Sequence, residues 1–557
     1  MDQASGHPAD GAYGLRLSGI DPASLTTALA QGVLELARRP HEVAREAIAL
    51  ATDELEVALD AARVALGTDG QDVADDDPRF ADRAWRENPF LRFALGSYLA
   101  GSRSARRLLN RAELPATTNR KARFLLDLWL DAVAPSNLPW LNPTVVKEAV
   151  DTGGLNFARG FSNFVRDVAR NGGLPSQVDR DALEFGQDLA ATPGRVVLRN
   201  ELIELIAYEP QTESVFAEPI VYSPPWINKY YVLDLAPGRS LIEYAVARGF
   251  TVFAISYRNP DASMAELTMD DYLRGGLFAA VERARELTGA PRVNILGVCL
   301  GGTLTAIGLA ALAARDEADR IGWATLVNTL VDFSDPGDIG VFTDEATVQR
   351  IERRTARRGY LKPSELSGPF TGMRANDLVW RYVISGWYLG KQPPAFDILA
   401  WNDDATRLPA AMHTQYLRSC YVENALTRPG AFVADGTPVD IGAIETPLYI
   451  LGAENDHIAP WRSTYRTTQL VSGPAQYMLS FSGHIASMVN PPGNPKSWYA
   501  TQDRCPPDAN GWLAGALRHE GTWWEHWAAW AAERSGDEVA PPSLPAGEAA
   551  PGRYVRG

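Results

Sequence analysis

The segment from Val293 to Thr303 constrains this chain more than any other. It reads VNILGVCLGGT, so strand-forming residues run into a glycine, then Cys299, then a pair of glycines. The residues that follow, up to Arg315, are rich in Ala and Leu and lack proline, which predicts a helix. Small residues on both sides of a nucleophile permit a strained turn and close helix packing. We therefore predict a strand, a sharp turn and a helix, with the helix N-terminus favouring a thiolate at Cys299.

Cysteine at such a turn suits acyl transfer better than hydrolysis. A thiolate that attacks a thioester forms another thioester, so the acyl group stays activated for a second acceptor. A serine oxyester would lose much of that activation. The alternative is that Cys299 is an ordinary buried cysteine that acts as a small hydrophobic residue. Residues further along the chain favour the nucleophile.

Composition limits the class of protein. A chain of 557 residues with 46% hydrophobic content predicts more than one domain and a large core. A net charge of −15 and a pI near 5.1 argue against general nucleic-acid binding. The three cysteines are too few and too scattered for a disulfide framework or a zinc site. The first residues, Met1 to Gly11, lack a signal pattern, and no apolar run is long enough to span a membrane, so we expect a cytosolic protein.

The chain divides into a helical part and an alternating part. Apolar residues recur at helical spacing from about residue 22, with an interruption at Pro40, and no strand alternation precedes residue 194. We therefore assign residues 1–188 to a helical N-terminal domain. Strand and helix patterns then alternate, which is typical of a mostly parallel sheet. We assign residues 189–535 to this α/β domain, residues 333–444 to a cap insertion, and the Pro/Gly/Ala-rich residues 536–557 to an extended tail.

The turn at Cys299, placed in such a sheet, has the features of the nucleophile elbow of α/β-hydrolases. In that fold the nucleophile is followed along the chain by an acid and then by a histidine. His484 lies directly after the last predicted strand and is the preferred base. Asp456 follows the preceding strand and is preferred to Glu454 as the acid, because it sits deeper in the loop. His457 is the alternative base, although a side chain adjacent to Asp456 usually points away from it.

Two backbone N–H groups should stabilise the oxyanion in this fold. The first belongs to Leu300, the residue after the nucleophile. The second should come from the loop that begins at Ser223 and continues to Tyr231. Its two prolines lack N–H groups, so Trp226 or Ile227 is the donor, and we select Ile227.

Several stretches together resemble the polyhydroxyalkanoate (PHA) synthases, the polymerases of bacterial storage polyesters. The matching stretches are residues 192–208, 224–231, 297–303, 374–380, 393–397, 455–461 and 482–492. The catalytic Cys, Asp and His of that family fall on Cys299, Asp456 and His484. The long N-terminal region resembles the single-subunit synthases. Val298 and Leu300 match the flanking pair of neither chain-length subclass, so short and medium acyl chains both stay open.

The resemblance implies a specific reaction. Its substrates are (R)-3-hydroxyacyl-CoA thioesters and its product is a growing polyester. His484 would take the proton of Cys299, and would later deprotonate the 3-hydroxyl of a unit, directly or with help from Asp456. No metal or redox cofactor is expected, since coenzyme A is part of the substrate and a product. The resemblance also implies a homodimer at the surface of cytoplasmic storage granules, with granule-associated proteins as further partners.

Two further patterns each allow two interpretations. Five arginines fall on one helical face within residues 350–358, and they form either a solvated face balanced by acids or a contact for CoA phosphates or another anionic partner. Trp523, Trp524, Trp527 and Trp530 form either a core-packing helix face or a polymer-binding surface.

Two rival functions remain open. A thioesterase or polyester hydrolase of the same fold would yield free acid instead of polymer. A granule-bound scaffold without activity would be insensitive to Cys299→Ser, and it is disfavoured because all three catalytic positions are filled.

Overall fold

The computed structural model describes residues 19–68 and 77–557. The predictions for Met1 to Gly11 therefore lie outside the described residues. Contacts within the chain define two units: one comprises Met1–Asp179 with Ser367–Pro394, and the other comprises Arg180–Leu366 with Ala395–Gly557. The segment 367–394 thus groups with the N-terminal helices, although it lies within the predicted cap insertion, residues 333–444.

The first unit is built from helices: α1 (Pro22–Ala37), α2 (Pro40–Ala65), α3 (Ala84–Glu87), α4 (Pro89–Arg111), α5 (Ala116–Ala132), α6 (Pro143–Asp151) and α7 (Leu155–Arg170). The predicted interruption at Pro40 separates α1 from α2. Asp21, Asn88 and Asn142 cap α1, α4 and α6 by accepting backbone N–H groups, and a proline follows each cap. α1 packs against α5, and α2 packs against α4.

Helix α7 has an inverted arrangement of polar and apolar faces. Its polar residues face inward, onto the π-helical segment Val383–Tyr388. Asn156 Nδ2 donates to the Tyr388 carbonyl at 2.8 Å. Gly160 is required there, because an added Cβ would lie 1.8 Å from the Trp387 carbonyl oxygen. Phe157 and Phe161, on the opposite face, are exposed.

The second unit is organised around a ten-stranded sheet, in the order β1-β2-β5-β4-β6-β7-β12-β13-β14-β15. Its strands are β1 (Gly194–Arg199), β2 (Ile203–Tyr208), β4 (Ile220–Ser223), β5 (Val252–Tyr257), β6 (Val293–Val298), β7 (Ile321–Val327), β12 (Leu448–Ala453), β13 (Ala475–Ser480), β14 (Trp498–Thr501) and β15 (Leu517–Glu520). The centre, from β5 to β13, is parallel, and both edges are antiparallel. Short pairs are formed by β3 (Val215–Phe216) with β16 (Glu538–Val539), β8 (Tyr360–Leu361) with β9 (Leu408–Pro409), and β10 (Phe432–Ala434) with β11 (Thr437–Val439).

The second unit also contains the helices α8 (Leu241–Val246), α9 (Met269–Asp271), α10 (Ala279–Thr288), α11 (Leu300–Ala314), α12 (Glu345–Thr355), α14 (Asp397–Asp403), α15 (Ala410–Tyr416), α16 (Trp461–Tyr465), α17 (Thr467–Leu470), α18 (Ala509–Gly515) and α19 (Trp523–Ala532). The helix α13 (Pro363–Met373) begins in this unit, and its residues from Ser367 onward belong to the first unit. A π-helical segment, Tyr272–Phe278, lies between α9 and α10. α11 is buried along nearly its whole length, which explains its lack of charged residues. The predicted α/β-hydrolase arrangement, with a mostly parallel sheet flanked by helices, is confirmed.

Residues 536–557 do not extend away from the protein. β16 pairs with β3, and the Ala550 N–H donates to the Gly194 carbonyl. Glu204 explains this packing, because its carboxylate is fully buried and accepts the N–H groups of Arg553 and Tyr554.

The four tryptophans of α19 are core residues, with exposures of 0 to 8%. Of the arginine face within residues 350–358, Arg354 and Arg358 form ion pairs with Glu365. The solvated-face interpretation therefore accounts for these two.

Candidate active site

Cys299 lies between β6 and α11, at the turn that its sequence predicted. Its backbone is left-handed, with φ 51° and ψ −118°, an uncommon conformation for a residue other than glycine. The turn also brings two chains into close contact, because an added Cβ on Gly301 would lie 2.1 Å from the Ser223 carbonyl oxygen. The residue after Cys299 begins the helix, so the thiol sits at a helix N-terminus. This is the strained strand-to-helix turn of a nucleophile elbow.

His484 and Asp456 meet beside this turn. His484 Nδ1 lies 2.6 Å from Asp456 Oδ2, and both side chains are buried. Asp456 Oδ1 accepts the N–H groups of Ile458 and Ala459, each at 2.9 Å. The acid loop and the histidine loop are themselves joined, since the Asn455 N–H donates to the Ser482 carbonyl at 2.9 Å. Asp456 is therefore held in place on one oxygen and bound to His484 on the other.

The pKa of His484 depends on both Asp456 and Cys299. Burial by itself lowers the pKa of His484. The charges of Asp456 and Cys299, together with hydrogen bonds to both side chains, outweigh burial and raise this pKa to about 10. The structure thus brings Cys299, His484 and Asp456 together, and the raised pKa makes the His484 imidazole a strong proton acceptor.

The two other cysteines occupy different surroundings. Burial raises the pKa of Cys420 and of Cys505, so neither thiol ionises readily. His457 lies next to the acid, and its backbone carbonyl accepts the Asp338 N–H at 3.1 Å. The carboxylate of Asp456 binds the side chain of His484.

The expected oxyanion loop lies against the elbow. Ser223 Oγ donates to the Gly301 carbonyl at 3.2 Å. The carbonyls of Trp226 and Ile227 accept from the side chain and the backbone of Thr406. These bonds hold the loop next to Leu300, which begins α11. The donor role of the Ile227 N–H stays a prediction.

Two aromatic side chains from residues 333–444 lie near Cys299. Tyr416 and Tyr421 lie close enough for the charge of Cys299 to influence the pKa of each phenol, which burial raises strongly. Their rings are 5.6 Å apart and also contact Phe333. No sequence pattern identified these residues, because nothing in their local sequence relates them to residue 299. They give the site an apolar wall.

Comparisons with known proteins identify the family of this chain. Residues 76–245 match the family model of the poly-beta-hydroxybutyrate polymerase (PhaC) N-terminus, and residues 218–491 match that of the alpha/beta hydrolase fold. The poly(3-hydroxyalkanoate) polymerase subunit PhaC of Cupriavidus necator is 42% identical over 491 residues, covering 86% of this chain and 83% of the relative. The chain belongs to the poly(3-hydroxyalkanoate) polymerase family.

Other members of this family are similarly close. Poly(3-hydroxyalkanoate) polymerase 2 of Ectopseudomonas oleovorans is 41% identical over 485 residues, covering 86% of each chain. The poly(3-hydroxyalkanoate) polymerase of Methylorubrum extorquens is 41% identical over 492 residues, covering 86% of this chain and 80% of the relative. The predicted acyltransferase class is that of the family. The hydrolase-fold model contains all three of Cys299, Asp456 and His484, and the N-terminal model reaches past the expected oxyanion loop.

Between residues 19 and 68 and from residue 77 onward, no helix combines the length and the apolar character needed to cross a bilayer. Over the same ranges, no cluster of three or more His, Cys, Asp or Glu side chains could hold a metal ion.

Proposed function

We propose that this protein polymerises (R)-3-hydroxyacyl-CoA thioesters into polyhydroxyalkanoate and releases CoA, with Cys299 as the covalent nucleophile. The observation that carries the proposal is the series formed by Cys299, His484 and Asp456 at a strained elbow. A thiol in this place keeps the bound acyl group activated as a thioester, which chain growth requires.

The first step is acylation of the enzyme. His484 accepts the proton of the Cys299 thiol, and the sulfur attacks the carbonyl carbon of the acyl-CoA. The backbone N–H groups of Leu300 and Ile227 would stabilise the resulting oxyanion. The bond from this carbon to the CoA sulfur then breaks, and the CoA thiolate takes the proton from His484. The apolar wall formed by Tyr416 and Tyr421 keeps water away from the new thioester.

The second step is ester formation. The 3-hydroxyl of a unit loses its proton to His484, and its oxygen attacks the carbonyl carbon of an acyl thioester. The carbon–sulfur bond of that thioester breaks and the thiolate recovers a proton, so the chain grows by one unit. Asp456 keeps His484 in the tautomer that can accept a proton at Nε2. No metal or redox cofactor takes part in the proposed reaction.

The test is product analysis with 3-hydroxyacyl-CoAs of roughly four to twelve carbons, which also determines the preferred chain length. We expect polymer and free CoA from the wild type. Cys299→Ala should release no CoA, whereas Cys420→Ser and Cys505→Ser should retain most activity. Free 3-hydroxy acid without polymer would instead establish a thioesterase or polyester hydrolase. Polymer made by Cys299→Ala would refute the nucleophile.

We also propose that the protein works in the cytoplasm at the surface of the polyester granules that it forms. Support comes from α7, whose apolar residues, including Phe157 and Phe161, face outward. A helix with an exposed apolar face adsorbs to apolar surfaces such as a polyester. Phe161→Glu should reduce co-sedimentation with polyester particles, whereas Ser162→Glu on the same helix should not. Equal binding of both variants and the wild type would contradict this use of α7.

A homodimer and granule-associated protein partners are part of the same proposal. They rest on the family membership of the chain. Light scattering of the purified protein, with and without acyl-CoA, tests the dimer.

A further inference from the structure

Asn328, the residue directly after β7, occupies an unfavourable position. Its side chain is fully buried and its backbone is left-handed, with φ 46°. Its Oδ1 is buried and has no hydrogen-bond partner among residues 19–68 and 77–557. A left-handed backbone and an unpaired buried acceptor each cost free energy of folding. This cost suggests that the other half of the amide, the Nδ2 group, has a specific role.

That other half binds the loop of the proposed base. Asn328 Nδ2 donates to the carbonyl oxygen of His484 at 2.6 Å and to Ser487 Oγ at 2.8 Å. Ser487 Oγ also donates to the His484 carbonyl, at 3.1 Å. A carbonyl can only accept, so the amide must present its NH2 group to His484. Asn328 thus fixes the backbone of the base directly.

The residues on either side of Asn328 bind the backbone of the nucleophile. The Val327 carbonyl accepts the Cys299 N–H at 2.9 Å, and Thr329 Oγ1 donates to the Cys299 carbonyl at 3.3 Å. The Asn328 N–H donates to the Leu451 carbonyl on β12, at 2.8 Å. Three consecutive residues therefore connect the turn of the nucleophile, the strand before the acid, and the loop of the base.

We propose that Asn328 is a positioning residue that holds the His484 loop at the distance from Cys299 needed for proton transfer. It acts through the backbone of His484, since its own side chain is buried and cannot touch substrate. The inference rests on the proposed pairing of Cys299 with His484, but not on the identity of the acyl substrate.

The expected size of the effect follows from geometry. Proton transfer requires the two heavy atoms to lie within about 2.6–3.2 Å. Without the amide of Asn328, the His484 carbonyl keeps only the bond from Ser487, and its loop can move away from the elbow. A displacement of about 1 Å at a catalytic group can cost about 100-fold in rate.

The experiment measures alkylation of Cys299 by iodoacetamide as a function of pH, with the labelled peptide identified by mass spectrometry. Asn328→Gly tolerates the left-handed backbone and removes the amide. We expect alkylation at pH 7 to slow by about 10- to 100-fold, and its pH profile to move to higher pH. The kcat for CoA release should fall by a similar factor while KM stays unchanged. Asn328→Asp keeps the shape but replaces the donor with an acceptor, and it should act in the same direction.

Asn424→Gly is the matched control. Asn424 has a similar positive φ, of 47°. Its Nδ2 donates to Asp332 and its Oδ1 accepts the Phe333 N–H, each at 2.9 Å. This variant should alkylate at the wild-type rate, which separates the loss of an amide at the site from the loss of any left-handed asparagine.

The outcomes separate the inference from the proposed function. If His484→Gln alkylates as fast as the wild type, the pairing of Cys299 with His484 itself fails. If His484→Gln is slow but both folded Asn328 variants match the wild type in rate and pH profile, the positioning role is overturned. If circular dichroism shows that both Asn328 variants are unfolded, Asn328 contributes to stability, and the positioning role is overturned as well.

Discussion

Replacement of Asp456 by asparagine tests how one acid serves two chemical steps. Asp456 Oδ1 accepts two backbone N–H groups, from Ile458 and Ala459, and Oδ2 faces His484 Nδ1 at 2.6 Å. In Asp456→Asn, the amide oxygen must occupy the Oδ1 position, because the two N–H groups need an acceptor. The amide NH2 then faces Nδ1. His484 is thereby held with its proton on Nε2, and it cannot accept a proton from substrate or thiol.

The two steps should respond by different amounts. A wrong tautomer costs about 10⁴-fold in kcat in a serine triad, which corresponds to about 5.5 kcal/mol. The alcohol of a 3-hydroxyacyl unit needs the base in full, so elongation should fall by about this factor. A free thiol with a pKa of about 8.5 is about one-tenth ionised at pH 7.5 without any base, so acylation should slow by only about 10- to 100-fold.

The assay is rapid-quench measurement of CoA release per active site. We expect Asp456→Asn to show a slowed burst of one CoA per site, followed by steady turnover reduced by about 10⁴-fold. Glu454→Gln is the matched control, since Glu454 is an exposed carboxylate in the same loop, and it should behave as the wild type. If the burst and the steady turnover fall by the same factor, the distinction between the two steps is wrong.

The remaining predictions concern the base, a buried histidine and the elbow. His484→Gln should abolish polymer formation and slow the CoA burst at least as much as Asp456→Asn does, whereas His457→Gln should be milder; the reverse order would place the triad on His457. Burial lowers the pKa of His413 to about 4. As pH falls below about 6.5, the unfolded state binds a proton that the folded state cannot, so stability should decrease by up to ~3 kcal/mol by pH 4. Urea unfolding at about pH 6.5 and at pH 4 should show a smaller loss of the free energy of unfolding for His413→Gln than for the wild type. An equal loss in the two proteins contradicts the prediction. Gly301→Ala would place a methyl group on the Ser223 carbonyl, so kcat should fall by about 100-fold, and an unchanged kcat would show that this loop moves freely.

Much of the fold was readable from local sequence. Strands and helices of the sheet follow from their hydrophobic patterns, and helix starts follow from capping residues and prolines. The order of nucleophile, acid and base along the chain indicated Cys299, Asp456 and His484, because each lies just after a predicted strand. Parallel strands bring such positions to one edge of a sheet.

The short strands at the edge of the sheet were not predicted from hydrophobic patterns. β14 and β15 have only four residues each, and their pairing is antiparallel. Strands of this length carry too little alternation to be recognised without their neighbours. The packing of residues 536–557 was equally hidden, since it depends on the buried carboxylate of Glu204, more than 300 residues away along the chain.

The sequence by itself therefore determined the elbow and the family, and it predicted the order of nucleophile, acid and base, because these depend on residue types at short spacing. Only the tertiary structure decided which histidine binds Asp456 and which residues surround the thiol. It also decided that Asn328 joins the loop of the base to the turn of the nucleophile. These are contacts between segments far apart in the chain, and their distances depend on how the sheet packs.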